Sequence, residues 1–377
     1  MRILQLGKFY PIKGGVEKVM FDLMSDISKK GIQCDMLCAS ENKSQKNEEI
    51  IINSLAKLII VPTFTEIAKT KISSSMIFKL RDICNSYDII HIHHPDPMAA
   101  LALFLSRYKG RVVLHWHSDI LAQKKLLKIY DPLQRWLIKR ACVIIGTTEN
   151  YLQNSKPLIN FKNKCLAVPI GIEDISNKLG IFNNPIDTNV FLGKKIIFSL
   201  GRLVPYKGFE YLIESAKYLD DDFIILIGGE GQLKKTLQDV INNENLNNKV
   251  RLLGYLSEED VLQYYAVCDI FCMSSIEKTE AFGIVQIEAM CLSKPIISTK
   301  IEGSGVSWVN QNGITGINVN IKNGKEIADA AKKITSNVTY YRKTSLASRN
   351  RFIDNFTLDK MSKSILDIYK NILIKKS

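Results

Sequence analysis

The stretch Lys195-Ile-Ile-Phe-Ser-Leu-Gly201-Arg-Leu-Val-Pro-Tyr-Lys-Gly208 decides the fold. It begins with an apolar run of strand length, and a glycine-bounded turn with two cations follows directly. The turn leads into a helical pattern near residues 209–219. A buried strand that ends in a tight turn and a helix is the repeating unit of parallel α/β sheets.

The same unit recurs on both sides of this stretch. In the first half, strands are predicted at Ile3–Leu6, Cys34–Cys38, Ile59–Val61, Ile89–Ile92, Val112–His115, Val143–Ile145 and Cys165–Val168, with helices at Val16–Lys29 and Met98–Ser106. In the second half they are predicted at Lys195–Leu200, Phe223–Ile227, Val250–Leu253, Ile270–Met273 and Ile296–Ser298, with helices near 209–219, 231–243, 258–266, 283–292 and 325–336. We therefore expect two doubly wound, Rossmann-like domains with parallel sheets covered on both faces.

A segment rich in Asn and Asp, residues 171–192, is the expected hinge. The predicted domains are residues 1–180 and 181–357, and residues 358–377 form a separate C-terminal helix. Apolar residues recur along one face of that helix, which favours a packing element over a membrane anchor: Met361, Ile365, Ile368 and Ile372.

Composition bounds the class of protein. The chain has 377 residues, 46% hydrophobic and 24% charged, which is ordinary for a globular protein with two full cores. The start of the chain is too weakly apolar for a signal peptide, and the run Met98–Leu105 is too short to span a bilayer. We expect a cytoplasmic protein whose eight scattered cysteines are mostly buried free thiols; a zinc site is the minor alternative.

The net charge of +13 is unevenly distributed. Residues 1–185 contain 26 basic and 16 acidic residues, a balance of +10, and residues 186–377 contain 25 and 22, a balance of +3. An excess of cations on one half attracts anionic partners, such as phosphates, nucleic acid or acidic lipid headgroups. The alternative is that the proteins of the source organism are generally basic and rich in lysine, so that the charge has no functional meaning. The asymmetry favours a first domain that faces a membrane.

Two glutamates eight positions apart are the most informative chemical feature, in Glu280-Ala-Phe-Gly-Ile-Val-Gln-Ile-Glu288-Ala-Met290. The Phe-Gly pair between them permits a loop to turn into a helix. The first carboxylate would then lie at the helix entrance and the second on its body, roughly 12 Å along at 1.5 Å per residue. Such a pair suits the two ends of one polyhydroxylated ligand, because ionised carboxylates accept strongly from hydroxyl groups.

Glycine-rich turns follow three of the predicted strands. Arg202 and Lys207 lie beyond Lys195–Leu200, where ligands bind in parallel α/β sheets, and with the following helix they suit a diphosphate. The pair Gly14-Gly15 opens the first helix and permits close approach of an anion or sugar. Gly228-Gly-Glu-Gly231 is a candidate border for a base or ribose. A plain capped turn remains the alternative for each of the three.

All five histidines lie between positions 91 and 117, in His91-Ile-His93-His94 and His115-Trp-His117. Alternate residues of a strand share a face, so His91 pairs with His93 and His115 with His117. The pattern favours an active-site edge where both strands end, with His117 polarising a substrate hydroxyl. A metal cluster is the weaker alternative, because no carboxylate or cysteine has ligand-like spacing. Asp220-Asp-Asp222 resembles a metal-binding D-x-D motif, but it precedes a strand, at the edge opposite the expected site.

Taken together, the chain resembles the retaining nucleotide-sugar glycosyltransferases of the GT-B architecture, family four, over nearly its whole length. Four motifs occur along the chain in the same order as in that family: Gly14-Gly15, His117-Ser-Asp119, the Arg202/Lys207 pair and Glu280–Met290. His115–Ile120 with Gln123-Lys124, and Gly303–Trp308, are similar to the subgroup that builds bacterial O-antigen, capsule or exopolysaccharide. Many of that subgroup are mannosyltransferases.

The resemblance implies a first domain that binds the acceptor, a second that binds the nucleotide sugar across an inter-domain cleft, and a C-terminal helix that crosses back to the first. It implies no metal and no cofactor. The catalytic residues it implies are His117, Arg202, Lys207 and Glu280. The implied donor contacts are Gly14, Gly15, Gly201, Arg202, Lys207, Gly229, Glu230, Glu280, Ala281, Phe282, Gly283, Ile284, Val285 and Glu288, and the acceptor contacts are His117, Ser118, Asp119 and Lys124.

The expected function is transfer of a hexose, with GDP-mannose the favoured donor, to a lipid-linked saccharide at the inner membrane during O-antigen, lipopolysaccharide or capsule synthesis. Alternatives are a transferase that uses a UDP-hexose or UDP-HexNAc, a sugar-nucleotide epimerase, and a glycoside hydrolase that uses Glu280 and Glu288. A non-enzymatic nucleic-acid-binding module is disfavoured, since no zinc finger, RNP-like strand or concentrated basic helix is present in the sequence.

Overall fold

A computed structural model describes residues 1–12, 14–41, 47–67, 70–121, 124–180 and 186–374. The chain divides into two compact units. The first unit comprises Met1–Ile172 together with the segment from Leu358, and the second unit comprises Glu173–Thr357. The division thus falls a few residues before the boundary predicted at 180/181, inside the predicted hinge.

The first unit contains ten strands and six helices among its described residues. The strands are β1 (Arg2–Tyr10), β2 (Gln33–Ser40), β3 (Glu48–Asn53), β4 (Ala56–Val61), β5 (Thr65–Ile67), β6 (Thr70–Ile72), β7 (Ile89–His94), β8 (Arg111–Trp116), β9 (Val143–Gly146) and β10 (Cys165–Ala167). The helices are α1 (Gly15–Lys29), α2 (Ser74–Ile83), α3 (Pro97–Ser106), α4 (Lys124–Arg140), α5 (Glu149–Asn154) and the C-terminal α13 (Leu358–Ile374).

Eight of these strands form one sheet in the order β10-β9-β8-β7-β1-β2-β4-β3. Every neighbouring pair is parallel except β3 and β4. The antiparallel edge strand β3 was not predicted, because its sequence Glu48-Glu-Ile-Ile-Ile-Asn53 is partly exposed and mixes charge with apolar residues. The separate β5–β6 hairpin was also missed, since each strand has only three residues.

The second unit has six strands and seven helices among its described residues. The strands are β11 (Lys195–Leu200), β12 (Phe223–Gly228), β13 (Val250–Gly254), β14 (Ile270–Met273), β15 (Ile296–Thr299) and β16 (Gly316–Val319). The helices are α6 (Phe209–Ser215), α7 (Lys234–Asn243), α8 (Glu258–Val267), α9 (Ile284–Cys291), α10 (Val306–Val309), α11 (Gly324–Thr335) and α12 (Val338–Asn355).

All six strands of the second unit are parallel, in the order β13-β12-β11-β14-β15-β16. The interior strand β12 is buried along its whole length, as expected for a sheet covered on both faces. The strand order reverses at β11, which is the topological switch point where ligands bind in open α/β sheets. The doubly wound, Rossmann-like fold predicted from sequence is therefore confirmed for each of the two units.

The C-terminal helix α13 packs on α1 in the first unit. Its predicted apolar face is buried: Met361, Ile365, Ile368 and Ile372. Polar contacts flank this face, since Ser362 Oγ donates to Asp26 and Lys30 Nζ lies 3.2 Å from Asp359 Oδ1. The helix is therefore a packing element of the first unit. Within the described part of the chain, no helix is both long and apolar enough to cross a bilayer.

Candidate functional site

The carboxyl end of β11 carries the first group of candidate residues. Gly201 follows the strand, and Arg202 extends from the turn as an exposed side chain with no hydrogen bond or ion pair to any described residue. A 3-10 turn, Pro205–Lys207, then brings Lys207 back over Gly201. Gly208 ends this turn with φ +63° and begins α6. The loop therefore presents two cations beyond the switch-point strand.

The glycines of this region permit backbone to approach backbone. A Cβ at Gly229 would lie 2.0 Å from the carbonyl oxygen of Gly201, closer than any side chain tolerates. The amide of Gly201 donates to the carbonyl of Gly228 at 3.0 Å, which holds the ends of β11 and β12 together. The motif Gly228–Gly231 thus has a structural reason to be rich in glycine, whether or not it borders a ligand.

Lys207 and Glu280 form the central ion pair of the site. Lys207 Nζ lies 2.5 Å from Glu280 Oε2, and the side chains are only 12% and 13% exposed. Ser275 Oγ donates to the same carboxylate oxygen at 3.1 Å. Burial acts to lower the pKa of Lys207, but the adjacent Glu280 carboxylate outweighs it and the pKa is raised. Lys207 is therefore a fixed, protonated cation at neutral pH.

Hydrogen bonds from residues 304 and 305 hold the turn from Glu280 to Gly283 in place. Ser304 Oγ donates to the carbonyl of Glu280, and the amide of Gly305 donates to the carbonyl of Ala281 at 2.9 Å. Phe282 is buried and meets the ring of Phe356 edge-on. Gly283 then adopts φ +80° and leads into α9. The segment is packed before any ligand binds, with its leading carboxylate directed at Lys207.

Helix α9 carries the second glutamate. Glu288 is half-buried, and Tyr265 Oη lies 2.9 Å from Glu288 Oε2 and 3.2 Å from the carbonyl oxygen of Val285. Burial, and then the charge of Glu288, raise the pKa of Tyr265 well above its usual value, so the phenol remains a donor. The first amides of α9, beginning at Ile284, have no carbonyl of their own helix to bond and face the helix entrance.

The other second-unit residue named from sequence, Glu230, is exposed. Its carboxylate accepts from Lys234 Nζ at 2.7 Å and from the amide of Tyr255 at 3.2 Å, and the Lys234 interaction lowers its pKa. The Asp220-Asp-Asp222 run precedes β12, at the amino edge of the sheet, and its members pair with three lysines: Lys332, Lys249 and Lys195. That run therefore lies on the edge opposite Lys207.

In the first unit, Gly14 is the N-cap of α1 and Gly15 is its first residue. The histidines lie on the neighbouring strands β7 and β8 or directly after β8, and strand alternation stacks four of their rings on one face: His91, His93, His115 and His117. His94 instead stacks on Trp116. His93 Nδ1 lies 2.9 Å from His117 Nε2, and His93 Nε2 lies 2.8 Å from Gln5 Oε1. His91, His93 and His117 thus have hydrogen-bond partners, whereas both ring nitrogens of His94 and of His115 have none among the described residues.

Burial lowers the pKa of every histidine: to about 3 for His94 and His115, and well below the usual value for His91, His93 and His117. All five imidazoles are therefore neutral at physiological pH. Ring nitrogens of His91, His93 and His115 lie within 4.8 Å of one another. Both nitrogens of His93 already have protein partners, however, and the rings are stacked rather than convergent, which does not suit tetrahedral coordination.

The acceptor residues named from sequence differ in their surroundings. Asp119 is buried, and its Oδ1 accepts from Trp116 Nε1 at 2.9 Å and from Ser155 Oγ at 2.6 Å. These bonds give the carboxylate a role inside the fold. Ser118 is half-exposed beside it. The side chain of Lys124 and the whole of Gln123 lie outside the described residues.

Several residues that support the site carried no recognisable sequence signal. They are Ser275, Ser304 and Tyr265 around the glutamates, and Gln5 and Tyr369 around the histidines. Four of them are at least 23 positions from the group they contact, so spacing could not reveal them. Ser275 is only five positions from Glu280, in a loop without a regular period.

Comparisons with known proteins show the family of the chain. A model described as Glycosyltransferase Family 4 matches residues 13–174, and one described as Glycosyl transferases group 1 matches residues 182–355. An O-antigen chain mannosyltransferase of Escherichia coli is 28% identical over the full length of both chains. A D-rhamnosyltransferase of Pseudomonas aeruginosa is 27% identical, covering 84% of this chain and 82% of its own. A glycosyltransferase structure from Rickettsia africae shares the fold, with a TM-score of 0.75, 21% identity and coverage of 100% and 99%.

Proposed function

Because the chain belongs to the glycosyltransferases whose two halves these models describe, we propose that it transfers a hexose from a nucleotide sugar to a saccharide acceptor with retention of configuration. Mannose from GDP-mannose is the favoured donor, and surface polysaccharide is the favoured product. This choice follows the full-length similarity to the Escherichia coli O-antigen mannosyltransferase.

The binding of the donor is supported mainly by the Lys207–Glu280 ion pair, whose side chains are little exposed, together with Arg202, which has no side-chain partner in the described part of the chain. We infer that Arg202 and Lys207 bind the diphosphate, while Glu280 accepts from hydroxyls of the transferred sugar. Glu288, on the body of α9, accepts from the ribose. The amides at the start of α9 provide further donors for phosphate or sugar oxygens. No metal or other cofactor is required in this scheme.

In the transfer step, the bond between the anomeric carbon and the departing phosphate oxygen breaks. A bond from the acceptor hydroxyl oxygen to the same carbon forms on the same face of the sugar. The departing phosphate takes the hydroxyl proton, so atoms and charge balance. Lys207 and Arg202 stabilise the negative charge that grows on the phosphate, and one such preorganised interaction typically contributes about 3 kcal/mol to the transition state.

In the first unit, His117 is proposed to orient a hydroxyl of the reacting sugar. A neutral imidazole both donates and accepts, and its burial keeps it neutral at physiological pH. Gly14 and Gly15, at the start of α1, are proposed to let backbone approach the donor closely.

A lipid-linked acceptor at the inner membrane is supported by an apolar pocket in the first unit. The pocket holds about 320 Å³, within the range of ligand sites. It is lined by the β5–β6 hairpin, α3 and α4: Ile67, Thr70, Ile72, Pro97, Met98, Leu101, Ile120, Leu126, Leu127, Ile129, Tyr130 and Leu133. The sequence of α4 begins with basic residues and has no acidic residue before Asp131. A hydrocarbon chain with an anionic phosphate headgroup matches both features.

A UDP-HexNAc is the second candidate donor. A 2-deoxystreptamine N-acetyl-D-glucosaminyltransferase of Niallia circulans is 27% identical, covering 76% of this chain and 77% of its own. The donor screen below separates the two candidates directly, because each predicts stabilisation by a different nucleotide sugar.

The test is a thermal-shift screen with GDP-mannose, UDP-glucose and UDP-GlcNAc, followed by turnover with the donor that stabilises. A ligand at 100 times its Kd stabilises the folded state by about 2.7 kcal/mol. Lys207→Ala is expected to lose most of the shift and to lower turnover on the order of a hundredfold. Lys325→Ala is the matched control, because Lys325 is an exposed partner of Asp329 in the same unit.

The unliganded Tm of both variants shows whether the fold is intact. Near-normal turnover of Lys207→Ala would reject the assigned role of the pair. Release of an isomerised donor in the absence of acceptor would instead identify an epimerase.

A further inference from the structure

A buried chain of hydrogen bonds links the C-terminal helix to His117. Tyr369 on α13 contacts both His91 and Gln5, Gln5 contacts His93, and His93 contacts His117. All five side chains are buried, with His117 the most exposed at 4%. Each of these contacts joins two polar atoms in the interior of the first unit, so each is a hydrogen bond and not only a packing contact.

The direction of each hydrogen bond in this series follows from the groups that take part in it. Tyr369 has one proton, and its oxygen lies 2.5 Å from His91 Nδ1 and 3.3 Å from Gln5 Nε2. An amide nitrogen can only donate, so Gln5 donates to Tyr369 and Tyr369 donates to His91. The Gln5 amide nitrogen also faces the sulfur of Cys34 at 3.5 Å. This orientation leaves Gln5 Oε1 as an acceptor directed at His93.

The acceptor at Gln5 decides the tautomers that follow. His93 Nε2 must carry a proton to donate to Gln5 Oε1 at 2.8 Å. A neutral imidazole has one proton, so His93 Nδ1 is an acceptor and His117 Nε2, 2.9 Å away, is its donor. His117 Nδ1 is then a lone pair, and it is buried without a partner among the described residues. A buried polar atom without a protein partner requires an explanation, such as an ordered water, an ion or a catalytic role. His117 Nδ1 differs from the other unpaired ring nitrogens in belonging to the most exposed histidine.

We propose that Gln5 and Tyr369 are positioning residues that hold His117 as its Nε2–H tautomer, with the Nδ1 lone pair available to accept from a sugar hydroxyl. The catalytic consequence rests on the proposed function of His117. The tautomer itself rests only on the bonded chain within the first unit. The C-terminal helix would thereby act on the reacting sugar through three intermediate side chains, Gln5, His93 and His117.

The direct test is long-range 1H–15N NMR of protein labelled with 15N-histidine, with signals assigned by His93→Gln and His117→Gln variants. The two ring nitrogens of a neutral imidazole have distinct shifts, so the protonated atom is read directly. We expect the Nε2–H form for both His93 and His117. An Nδ1–H form of His117 in the wild-type protein overturns the inference and leaves the proposed transferase function standing.

The kinetic test uses Gln5→Leu and Tyr369→Phe, with Tyr108→Phe as the matched loss of a buried hydroxyl. Tyr108 donates to the carbonyl of Tyr87 and contacts none of the histidines. We expect the first two variants to shift the His93 and His117 signals towards mixed tautomers and to lower kcat roughly tenfold with little change in donor KM. Tyr108→Phe should change neither.

Unchanged histidine spectra and unchanged kcat in both Gln5→Leu and Tyr369→Phe would overturn the inference. A fully active His117→Ala enzyme would contradict the role given to His117 in the proposed function, and with it the kinetic part of this inference. The NMR measurement of the His93 and His117 tautomers in the wild-type protein would still test the direction of the hydrogen bonds independently.

Discussion

At the residue scale, Gly208 is a position where a single added Cβ is predicted to disturb the loop 201–208 that carries Arg202 and Lys207. Its φ is +63°, and an added Cβ would lie 2.4 Å from the backbone carbonyl oxygen of Ser274, which cannot move without shifting the end of β14. Gly208→Ala is therefore expected to destabilise the fold by roughly 2–3 kcal/mol. It should also displace Lys207 and reduce the thermal shift produced by the donor. Urea unfolding and the donor screen measure both effects.

Gly313→Ala provides the control for backbone strain alone. Gly313 has φ +78°, but an added Cβ there meets nothing within 4 Å. Its cost should be about 1 kcal/mol, with the donor shift intact. If Gly208→Ala and Gly313→Ala lose the same amount of stability, the close approach of the added Cβ to Ser274 does not contribute to the destabilisation.

At the scale of elements, the paired ends of β7 and β8 make the first unit sensitive to acid. The five histidines have pKa values below the unfolded value of about 6.5, so the unfolded chain binds more protons as pH falls. Stability is complete above that pH and is lost progressively towards about pH 3, the folded value of His94 and His115. Within this window, each imidazole lowers the free energy of unfolding by about 1.4 kcal/mol for every pH unit by which the pH falls.

Unfolding midpoints in urea at pH 7.5 and pH 5.5 measure this loss. His115→Gln removes one titrating ring that has no hydrogen-bond partner among the described residues. That variant should show a smaller difference between the two pH values than the wild-type protein. Identical stability at both pH values in the wild-type protein would contradict the neutral, buried state of the cluster.

At the scale of the whole molecule, charge and apolar surface coincide in the first half of the chain. Residues 1–185 hold +10 of the net +13, and the apolar pocket lies in the same unit. We predict that the protein floats with anionic vesicles and not with neutral ones, and that it prefers lipid-linked to free acceptors. Ile129, which is 79% exposed on α4 and lines the pocket, should insert into the lipid. Ile129→Gln is expected to weaken vesicle binding about tenfold.

Leu346→Gln is the matched control, because Leu346 is 63% exposed on α12 of the second unit. Its vesicle binding should equal that of the wild-type protein. High salt should weaken binding of all three proteins, since the charge contribution is screened. If wild-type protein neither floats with anionic vesicles nor prefers lipid-linked acceptors, the membrane proposal fails.

The sequence by itself determined the two parallel α/β units and most of their strands. Buried parallel strands are nearly continuous apolar runs, so β11 and β12 can be located without a structure. It also predicted where Glu280, Glu288, Arg202 and Lys207 lie relative to the strands and α9, because residue type and position after a strand are local properties; their roles with a ligand stay a prediction. The apolar face of α13 was likewise visible in its spacing.

Only the tertiary structure decided which distant groups meet. It joined Lys207 to Glu280, 73 positions away, and it brought Tyr369 to a histidine 278 positions away. It also turned Asp119 towards Trp116 and Ser155. Hydrogen bonds and ion pairs depend on distance in space, and a sequence constrains such distances only within one element or its adjoining turn.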